Sequence, residues 1–151
     1  MTTDSLQIRS YRDADEDDVV RLWKSVFSND PPWNEPTTVI RRKMDVQPEL
    51  FLVAVLDGFV VGTTLAGFDG CRGWIHHVAV DPGARRQGVG SLLVREAAAR
   101  LGEVGCPKLN LQVRDSNESA VRFYESLGFS VEDRVSMAQL LEPDAGRPMP
   151  Q

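Results

Sequence analysis

The chain has little of what marks secreted, metal-binding or membrane-spanning proteins. Cys71 and Cys106 are far apart in sequence, so they lack the close spacing of zinc ligands and are too few for a disulfide framework. The chain does not open with a basic region and an apolar run, and no apolar stretch reaches the ~18 residues that span a bilayer. We therefore expect a cytoplasmic protein with reduced thiols and no metal, not associated with a membrane.

A basic excess is also absent, since the 151 residues carry a formal net charge of −5. This argues against a general nucleic-acid binder, because binding that polyanion requires a concentrated basic face. A cationic partner suits the balance better. The length predicts one soluble domain over residues 1–142, and residues 143–151, with three prolines and a glycine, are predicted to be a flexible tail.

The first half of the chain alternates between strand and helix patterns. A short alternating run at residues 7–11 predicts a strand. The residues after it predict a helix, because apolar side chains recur at helical spacing: Val19, Leu22, Trp23, Val26 and Phe27. After a turn-rich break, Pro36 suits the first turn of a second helix. The runs 50–56 and 59–66, joined by Asp57-Gly58, predict an antiparallel hairpin.

The second half contains a strand-helix-strand pattern. Residues 73–80 are apolar enough for a central strand, and helical spacing from Ser91 to Val104 predicts a helix that packs on the sheet. Residues 107–113 then alternate as a strand. Because a helix connects the two strands, they are predicted to run parallel.

The end of the chain predicts one more helix and two strands. Residues 117–127 have a helical pattern that Gly128 stops, while residues 129–131 and 135–141 are predicted to be closing strands. Together with the preceding runs, these would give six to seven strands.

Residues 85–91, with the sequence Arg-Arg-Gln-Gly-Val-Gly-Ser, form a loop that leads into a helix start. The first amides of a helix have no internal partner, and glycine brings the backbone close to a ligand, so the loop is suited to an anion. A dinucleotide fingerprint would need Gly or Ala where Leu93 stands, and a nucleoside triphosphate loop would need Gly-Lys-Ser/Thr. A ligand-free turn with solvated arginines stays open at this point.

Asn117 and Tyr124 stand two helical turns apart on one face and can line one groove about 10 Å long. Phe123 takes the neighbouring side. Taken alone, Asn117 is also explained as a helix cap and Tyr124 as a half-buried aromatic with its hydroxyl in water.

The combination of these motifs resembles the GNAT N-acetyltransferase superfamily. The resemblance rests on Val78-Ala79-Val80, on Arg85-x-x-Gly88-x-Gly90, and on Asn117 with the run Tyr-Glu-Ser-Leu-Gly-Phe from Tyr124. It covers residues 73–141, and residues 105–113 are similar to the bacterial YpeA-type branch. It implies an α/β fold with a mixed, mostly antiparallel sheet, splayed at the centre, and helices on both faces.

The resemblance also implies acetyl-coenzyme A as co-substrate. In the family, the matching loop wraps the pyrophosphate, here Arg85, Arg86, Gln87, Gly88, Val89, Gly90 and Ser91. The strand matching Val78, Ala79 and Val80 binds the pantetheine arm. The residues that match Asn117 and Phe123 help hold the cofactor, and the residue that matches Tyr124 protonates the departing thiolate as general acid.

The expected reaction is acetyl transfer to a primary amine by direct attack in a ternary complex, because neither cysteine lies in a nucleophile arrangement. Candidate bases are His76, His77 and Glu35. Adjacent strand residues point to opposite faces, so at most one histidine should face the acceptor unless the strand bulges.

The acceptor pocket is expected near the break after the first helix, with Trp33, Glu35 and Asp30 as wall residues. The acceptor itself stays open between a small amine and a protein N-terminus or lysine, and a homodimer is a further possibility. The alternatives are a non-catalytic acyl-coenzyme A binding or regulatory module and a protein that binds a different phosphate ligand.

Overall fold

The computed structural model describes residues 5–141, which divide into two compact units with the boundary after Asn110. The first unit holds a five-stranded sheet in the order β1-β2-β3-β4-β5. Its elements are β1 (Gln7–Ser10), α1 (Glu16–Val26), α2 (Pro36–Met44), β2 (Phe51–Leu56), β3 (Phe59–Phe68), β4 (Gly73–Val80), α3 (Val89–Glu103) and β5 (Leu109–Asn110). The second unit contains α4 (Glu118–Ser126).

The sheet is mixed, as the sequence predicts. Strands β1 to β4 pair antiparallel, whereas β5 runs parallel to β4 after the α3 connection. The hairpin between β2 and β3 turns at Asp57 and Gly58, with φ angles of 54° and 84°. Two left-handed residues match the twist of the flanking strands, which explains why an Asp-Gly pair specifies this turn.

Helices cover both faces of the sheet. Gly62 of β3 lies against α3, since a Cβ atom there would come within 2.8 Å of Val89 Cγ1 and 2.9 Å of Leu93 Cδ1. Its neighbour Thr63 points to the other face and accepts a hydrogen bond from Trp23 of α1. The face toward α1 and α2 carries a buried cluster formed by Val19, Trp23, Ile40, Phe51, Val53 and Leu65, among others.

The end of α2 is tied to the far end of β3. Gln47 accepts a hydrogen bond from Phe68 N (2.8 Å) and donates one to Phe68 O (3.2 Å), while Lys43 Nζ donates to Ala66 O. Ala66 and Phe68 lie beyond the last register pair of β2 and β3, which joins Phe51 to Leu65. Side chains therefore form hydrogen bonds with backbone N–H and C=O groups of β3 that β2 does not reach.

The predicted strand count is too high. Within residues 5–141 no strand follows Asn110, so the closing strands predicted at 129–131 and 135–141 are wrong, and β5 holds two residues of the predicted run 107–113. Side chains in this region face solvent, with Val131 75%, Val135 86% and Met137 89% exposed. The alternation of apolar and polar residues was present, but no neighbouring strand pairs with it.

The predicted tail at 143–151 lies outside the described residues. The expectation of one domain over residues 1–142 stays a prediction.

Candidate active site

The loop before α3 has the backbone of an anion-binding turn. Arg86 and Gly88 adopt left-handed conformations, with φ angles of 73° and 76°, and Gly88 is the N-cap of α3. The helix begins at Val89, two residues before the predicted start, and its first hydrogen bond runs from Leu92 N to Gly88 O (3.0 Å). The amides of Val89, Gly90 and Ser91 thus belong to the first turn, where the helix supplies no acceptor.

The side chains of this loop are open to solvent. Arg85, Arg86, Gln87 and Gly88 are exposed, whereas Val89 is buried against the sheet. The buried valine anchors the helix, and the loop in front of it keeps two guanidinium groups at the positive end of the helix dipole. This combination can hold a phosphate group through backbone and side chain together.

The edge of β4 opens beside this loop. Strand β5 pairs with Gly73 and Trp74 alone, so within residues 5–141 the segment from Ile75 to Val80 has only β3 as a strand neighbour. Among the described residues, the backbone of Val78, Ala79 and Val80 therefore has one edge that pairs with no strand. An extended ligand arm with amide groups could pair with such an edge.

A bulge in β4 changes the direction of the two histidines. The register moves from Leu65–His76 to Thr63–Ala79, and His77 has a φ of 51°. His76 lies opposite Leu65 of the α1 and α2 face, and the His77 ring lies 4.6 Å from the ring of Trp23 in α1. Both histidines thus share one face, which is the exception that the sequence analysis allowed for a bulged strand.

A buried hydrogen-bond chain holds this bulge. Trp23 Nε1 donates to Thr63 Oγ1 (2.8 Å), and Thr63 Oγ1 donates to the carbonyl oxygen of His77 (2.9 Å). Thr63 is fully buried and Trp23 is 1% exposed. The left-handed backbone at His77 is therefore fixed from below by a helix and a neighbouring strand.

A cavity of about 380 Å³ lies between the end of α1, the turn that follows it and His77. The rings of Trp23, Phe27 and His77 line it, as do the charged side chains of Lys24, Asp30 and Glu35 and the rigid residues Pro31, Pro32 and Pro36. The sequence analysis expected Asp30 and Glu35 here. Trp33 is not among the lining residues, and its carbonyl accepts a hydrogen bond from Arg42 (3.1 Å).

Trp23 and Phe27 were recognised in the sequence only as part of the core stripe of α1. Their part in a cavity had no sequence signal of its own, because a residue at the end of a buried stripe looks the same whether its outer edge meets protein or an open space.

The two histidines differ in their surroundings. Burial, together with the charge of His76, lowers the pKa of His77 to about 4, and its Nε2 is buried without a hydrogen-bond partner among residues 5–141. His76 is exposed, and its ring stacks beside that of Trp74. Partial desolvation by its neighbours and, to a smaller extent, the charge of Lys43 lower the pKa of His76 as well. Both imidazoles are thus neutral at pH 7.

Glu35 is held as an anion at the start of α2. Its Oε1 accepts hydrogen bonds from Thr37 Oγ1 (2.6 Å), Thr38 N (3.0 Å) and Thr38 Oγ1 (3.0 Å). These bonds lower the pKa of Glu35 to about 2, despite a small opposing effect of burial. The carboxylate is therefore a helix cap with a fixed charge, which is a poor starting point for a proton acceptor.

The second unit presents Asn117 and Tyr124 on α4. Asn117 is the N-cap, and its Oδ1 accepts hydrogen bonds from Ala120 N and Ser119 Oγ (both 3.2 Å). The ring of Tyr124 meets those of Phe123 and Phe129 edge-on, with centroids 4.9 and 5.6 Å away. Burial raises the pKa of Tyr124, so the phenol keeps its proton at neutral pH.

Two further features are absent from the described part of the chain. Residues 5–141 contain no cluster of three or more histidine, cysteine, aspartate or glutamate side chains that could hold a metal ion. None of the helices in the same range is both long and apolar enough to cross a membrane.

Comparison with known sequences gives consistent matches. The family described as acetyltransferase (GNAT) matches residues 16–129. An acetyltransferase of Yersinia enterocolitica is 35% identical over 139 residues, which cover 92% of this chain and 98% of that protein.

Solved structures share the fold. Ard1 from Thermoplasma volcanium superposes with a TM-score of 0.72 and 29% identity, covering 84% of each chain. The aminoglycoside N-acetyltransferase AAC(6')-Iy, whose structure is a complex with coenzyme A, gives a TM-score of 0.75 over 92% of this chain and 97% of that one. At 18% identity, the second likeness speaks for the fold alone.

Proposed function

The chain belongs to the GNAT acetyltransferase family, and we propose that it moves the acetyl group of acetyl-coenzyme A to a primary amine by direct attack in a ternary complex. The observation that carries this proposal is the loop at the start of α3. Its left-handed residues, exposed arginines and free first-turn amides suit a pyrophosphate. It also lacks the residues of the two better-known phosphate loops.

The uncovered edge of β4 supports the same co-substrate. In this proposal the backbone of Val78, Ala79 and Val80 hydrogen-bonds the amides of the pantetheine arm. The loop residues Arg85 to Ser91 hold the phosphates through their amides, and Arg85 and Arg86 add charge. Phosphate-binding amides and an amide-binding strand edge next to each other in the chain match one ligand that carries both groups.

Tyr124 is proposed as the general acid. Coenzyme A leaves as a thiolate, and a phenol whose pKa is raised by burial keeps the proton that this sulfur needs. Asn117 and Phe123 are proposed to help hold the cofactor, as the matching residues of the family do. These roles rest on the family resemblance of α4.

The base is proposed among His76, His77 and Glu35, and the local chemistry favours His76. Glu35 is a fixed anion with a pKa of about 2, and His77 with a pKa of about 4 is a weak proton acceptor. His76 is exposed, so it can pass a proton to water.

Direct transfer is favoured over an acetyl-cysteine intermediate. Cys71 lies exposed in the turn between β3 and β4, and the thiol of Cys106 donates to Lys108 O (3.3 Å). Among residues 5–141, no contact joins either thiol to a base that would activate it. We further propose that the protein works in the cytoplasm as one domain and without a metal, with a homodimer as an assembly to test; the acetyltransferase relatives do not favour the non-catalytic module.

The proposal is tested by following thiol release from acetyl-coenzyme A with a broad panel of small amines, peptides with free N-termini and lysine peptides. We expect release that depends on an acceptor. Tight binding of coenzyme A without turnover on any acceptor would support the non-catalytic module instead. No thermal protection by coenzyme A would remove the co-substrate itself.

A further inference from the structure

The cavity between α1 and the turn at residues 30–36 is lined by aromatic residues of α1 and β4, here called its aromatic end, and by residues of the turn, here called its anionic end. At one end the ring of His77 lies 4.6 Å from that of Trp23 and 5.3 Å from that of Phe27, measured between centroids. At the other end the lining residues of the turn include two carboxylates, Asp30 and Glu35. A ligand that fills the cavity therefore meets an aromatic, uncharged end and an anionic end.

The aromatic end adjoins the proposed reaction centre. His77 directly precedes Val78, the first residue of the segment proposed to bind the pantetheine arm. Its ring lines the cavity, and among the described residues its buried Nε2 has no hydrogen-bond partner, so an amine that reached this nitrogen would satisfy it. Rings without charge around this nitrogen also favour the neutral form of the amine, which is the form that attacks a carbonyl carbon.

The anionic end is suited to a cation that does not react. The carboxylate of Glu35 stays ionised, and its three hydrogen bonds all end on Oε1, so Oε2 takes part in none of them. An ammonium group held by a carboxylate keeps its proton more firmly and is a poor nucleophile. The carboxylate of Glu35 thus suits recognition of a second positive group, in a lining that also contains Asp30 and Lys24.

The size of the cavity favours a small molecule. A volume of about 380 Å³ stands near the lower end of the ~300–1,000 Å³ typical of small-molecule pockets. Three prolines in the lining turn keep this volume preformed, because proline fixes its own backbone angle.

We infer that the acceptor is a small aliphatic diamine or polyamine, with the reacting amine at the His77 end of the cavity and a second ammonium group at Glu35. This inference rests on the proposed function. The amine nitrogen forms a bond to the acetyl carbonyl carbon and gives one proton to the proposed base, His76, directly or through water, and the carbon–sulfur bond breaks with Tyr124 as the proposed proton donor to the sulfur. The sulfur leaves with the bonding electrons and takes up a proton.

Matched pairs of amines test the second charge. Pentylamine and 1,5-diaminopentane share one carbon chain, as do butylamine and 1,4-diaminobutane, and spermidine and a tetra-alanine amide extend the panel. We expect kcat/KM for each diamine to exceed that of its monoamine by about fivefold or more, the effect of an exposed ion pair. Equal values for the members of both pairs would overturn the inference.

Two variants locate the recognition of this charge. Glu35→Gln keeps an oxygen that can accept a hydrogen bond from Thr38 N but removes the negative charge. We therefore expect kcat/KM for each diamine to fall toward that of its monoamine, while the KM for acetyl-coenzyme A stays unchanged. Glu103→Gln, at the exposed end of α3, removes one charge away from the cavity and serves as control. A preference that survives Glu35→Gln, or that Glu103→Gln also abolishes, would contradict the assignment to this cavity.

Failure of the inference is distinct from failure of the proposed function. If the tetra-alanine amide or monoamines are acetylated as efficiently as the diamines, the enzyme is an N-acetyltransferase with a different acceptor class. If no amine releases the thiol, the proposed function fails, and the inference fails with it.

Discussion

Tyr124 is a phenol that stays protonated at neutral pH, and two neighbouring aromatic rings contact its own ring. Its pKa is raised by burial, and Phe123 and Phe129 meet its ring edge-on. We predict that Tyr124→Phe lowers kcat by roughly 10²-fold and leaves the KM for acetyl-coenzyme A nearly unchanged, because the general acid acts only in the chemical step. Steady-state kinetics with both substrates varied measures this split.

The substitution keeps the ring contacts, so the melting temperature of the variant should equal that of the parent. Unchanged kcat in a folded variant would remove Tyr124 from the mechanism.

His77 makes a prediction about pH and stability. In an unfolded chain its imidazole binds a proton near pH 6.5, whereas in the folded protein it does so only near 4. The unfolded state thus holds more protons between these values, and stability falls as the pH drops through this window. His77→Phe retains a ring beside Trp23 and should flatten that part of the curve, measured as the free energy of unfolding in urea from pH 7 to 4.

The His76→Phe variant is the comparison. The pKa of His76 is lowered as well, but the larger shift belongs to His77, so His76→Phe should flatten the curve less than His77→Phe does. A loss of stability on acidification that is as steep in His77→Phe as in the parent would show that other groups cause it.

At the residue scale, the sequence predicted what depends on neighbours in the chain. Asn117 caps α4 as its position suggested, and Gly88 has a left-handed backbone that suits a glycine, whereas the left-handed backbone at Arg86 had no glycine to indicate it. The direction of His77 could not be predicted, because the bulge depends on Thr63 and Trp23, which are distant in sequence. Glu35 was recognised as a cavity residue, but its low pKa comes from hydroxyl groups whose orientation only the fold fixes.

Strand β3 and helix α3 approach each other closely at Gly62. A Cβ atom there would stand 2.8 Å from Val89 Cγ1, closer than packed atoms allow. We predict that Gly62→Ala lowers the free energy of unfolding by about 1–3 kcal/mol, since α3 must move away from the sheet. Chemical denaturation measures the change.

Gly102→Ala in the same helix is the matched control, because a Cβ atom there meets nothing within 4 Å. It should stabilise the protein by about 0.5–1 kcal/mol through helix propensity. Equal effects of the two substitutions would contradict the packing argument.

Thr63 joins α1 to the bulge of β4. We predict that Thr63→Val lowers the free energy of unfolding by about 1–3 kcal/mol, because Trp23 Nε1 and the carbonyl of His77 lose their partner inside the core. Thr63→Ser keeps the hydroxyl, so its free energy of unfolding and its KM for the acceptor should stay closer to those of the parent than the values of Thr63→Val. Unfolding curves and the acceptor KM, measured on both variants, separate loss of the bond from loss of volume.

At the scale of elements, the predictions were confirmed where one stretch of sequence contained both strands of a pair. The hairpin of β2 and β3 was predictable, because Asp57-Gly58 and the two runs it joins are contiguous. The closing strands at 129–131 and 135–141 were predicted from alternation alone, which shows which side chains could share a face but not whether another strand lies alongside.

The protein as a whole should respond to its co-substrate. A ligand that binds only the folded state raises the free energy of unfolding by about 2.7 kcal/mol at one hundred times its Kd. We predict a higher melting temperature with coenzyme A and a smaller rise in the double variant Arg85→Ala, Arg86→Ala. Both arginines are exposed, so the melting temperature of the double variant without ligand should match that of the parent.

Pyrophosphate alone should protect in the same order but less, because it lacks the arm proposed to lie along β4. An equal rise in parent and double variant would return the two arginines to ordinary surface charge.

The tie between α2 and β3 has a consequence for the behaviour of the protein in concentrated solution. Where a strand extends past the end of its neighbour, its backbone N–H and C=O groups are left unpaired. Such an edge can pair with a strand of another molecule. Gln47 and Lys43 fill these positions at Phe68 and Ala66 with side-chain groups. This end of β3 is thereby closed to intermolecular pairing, and the chain is protected from aggregation along that edge.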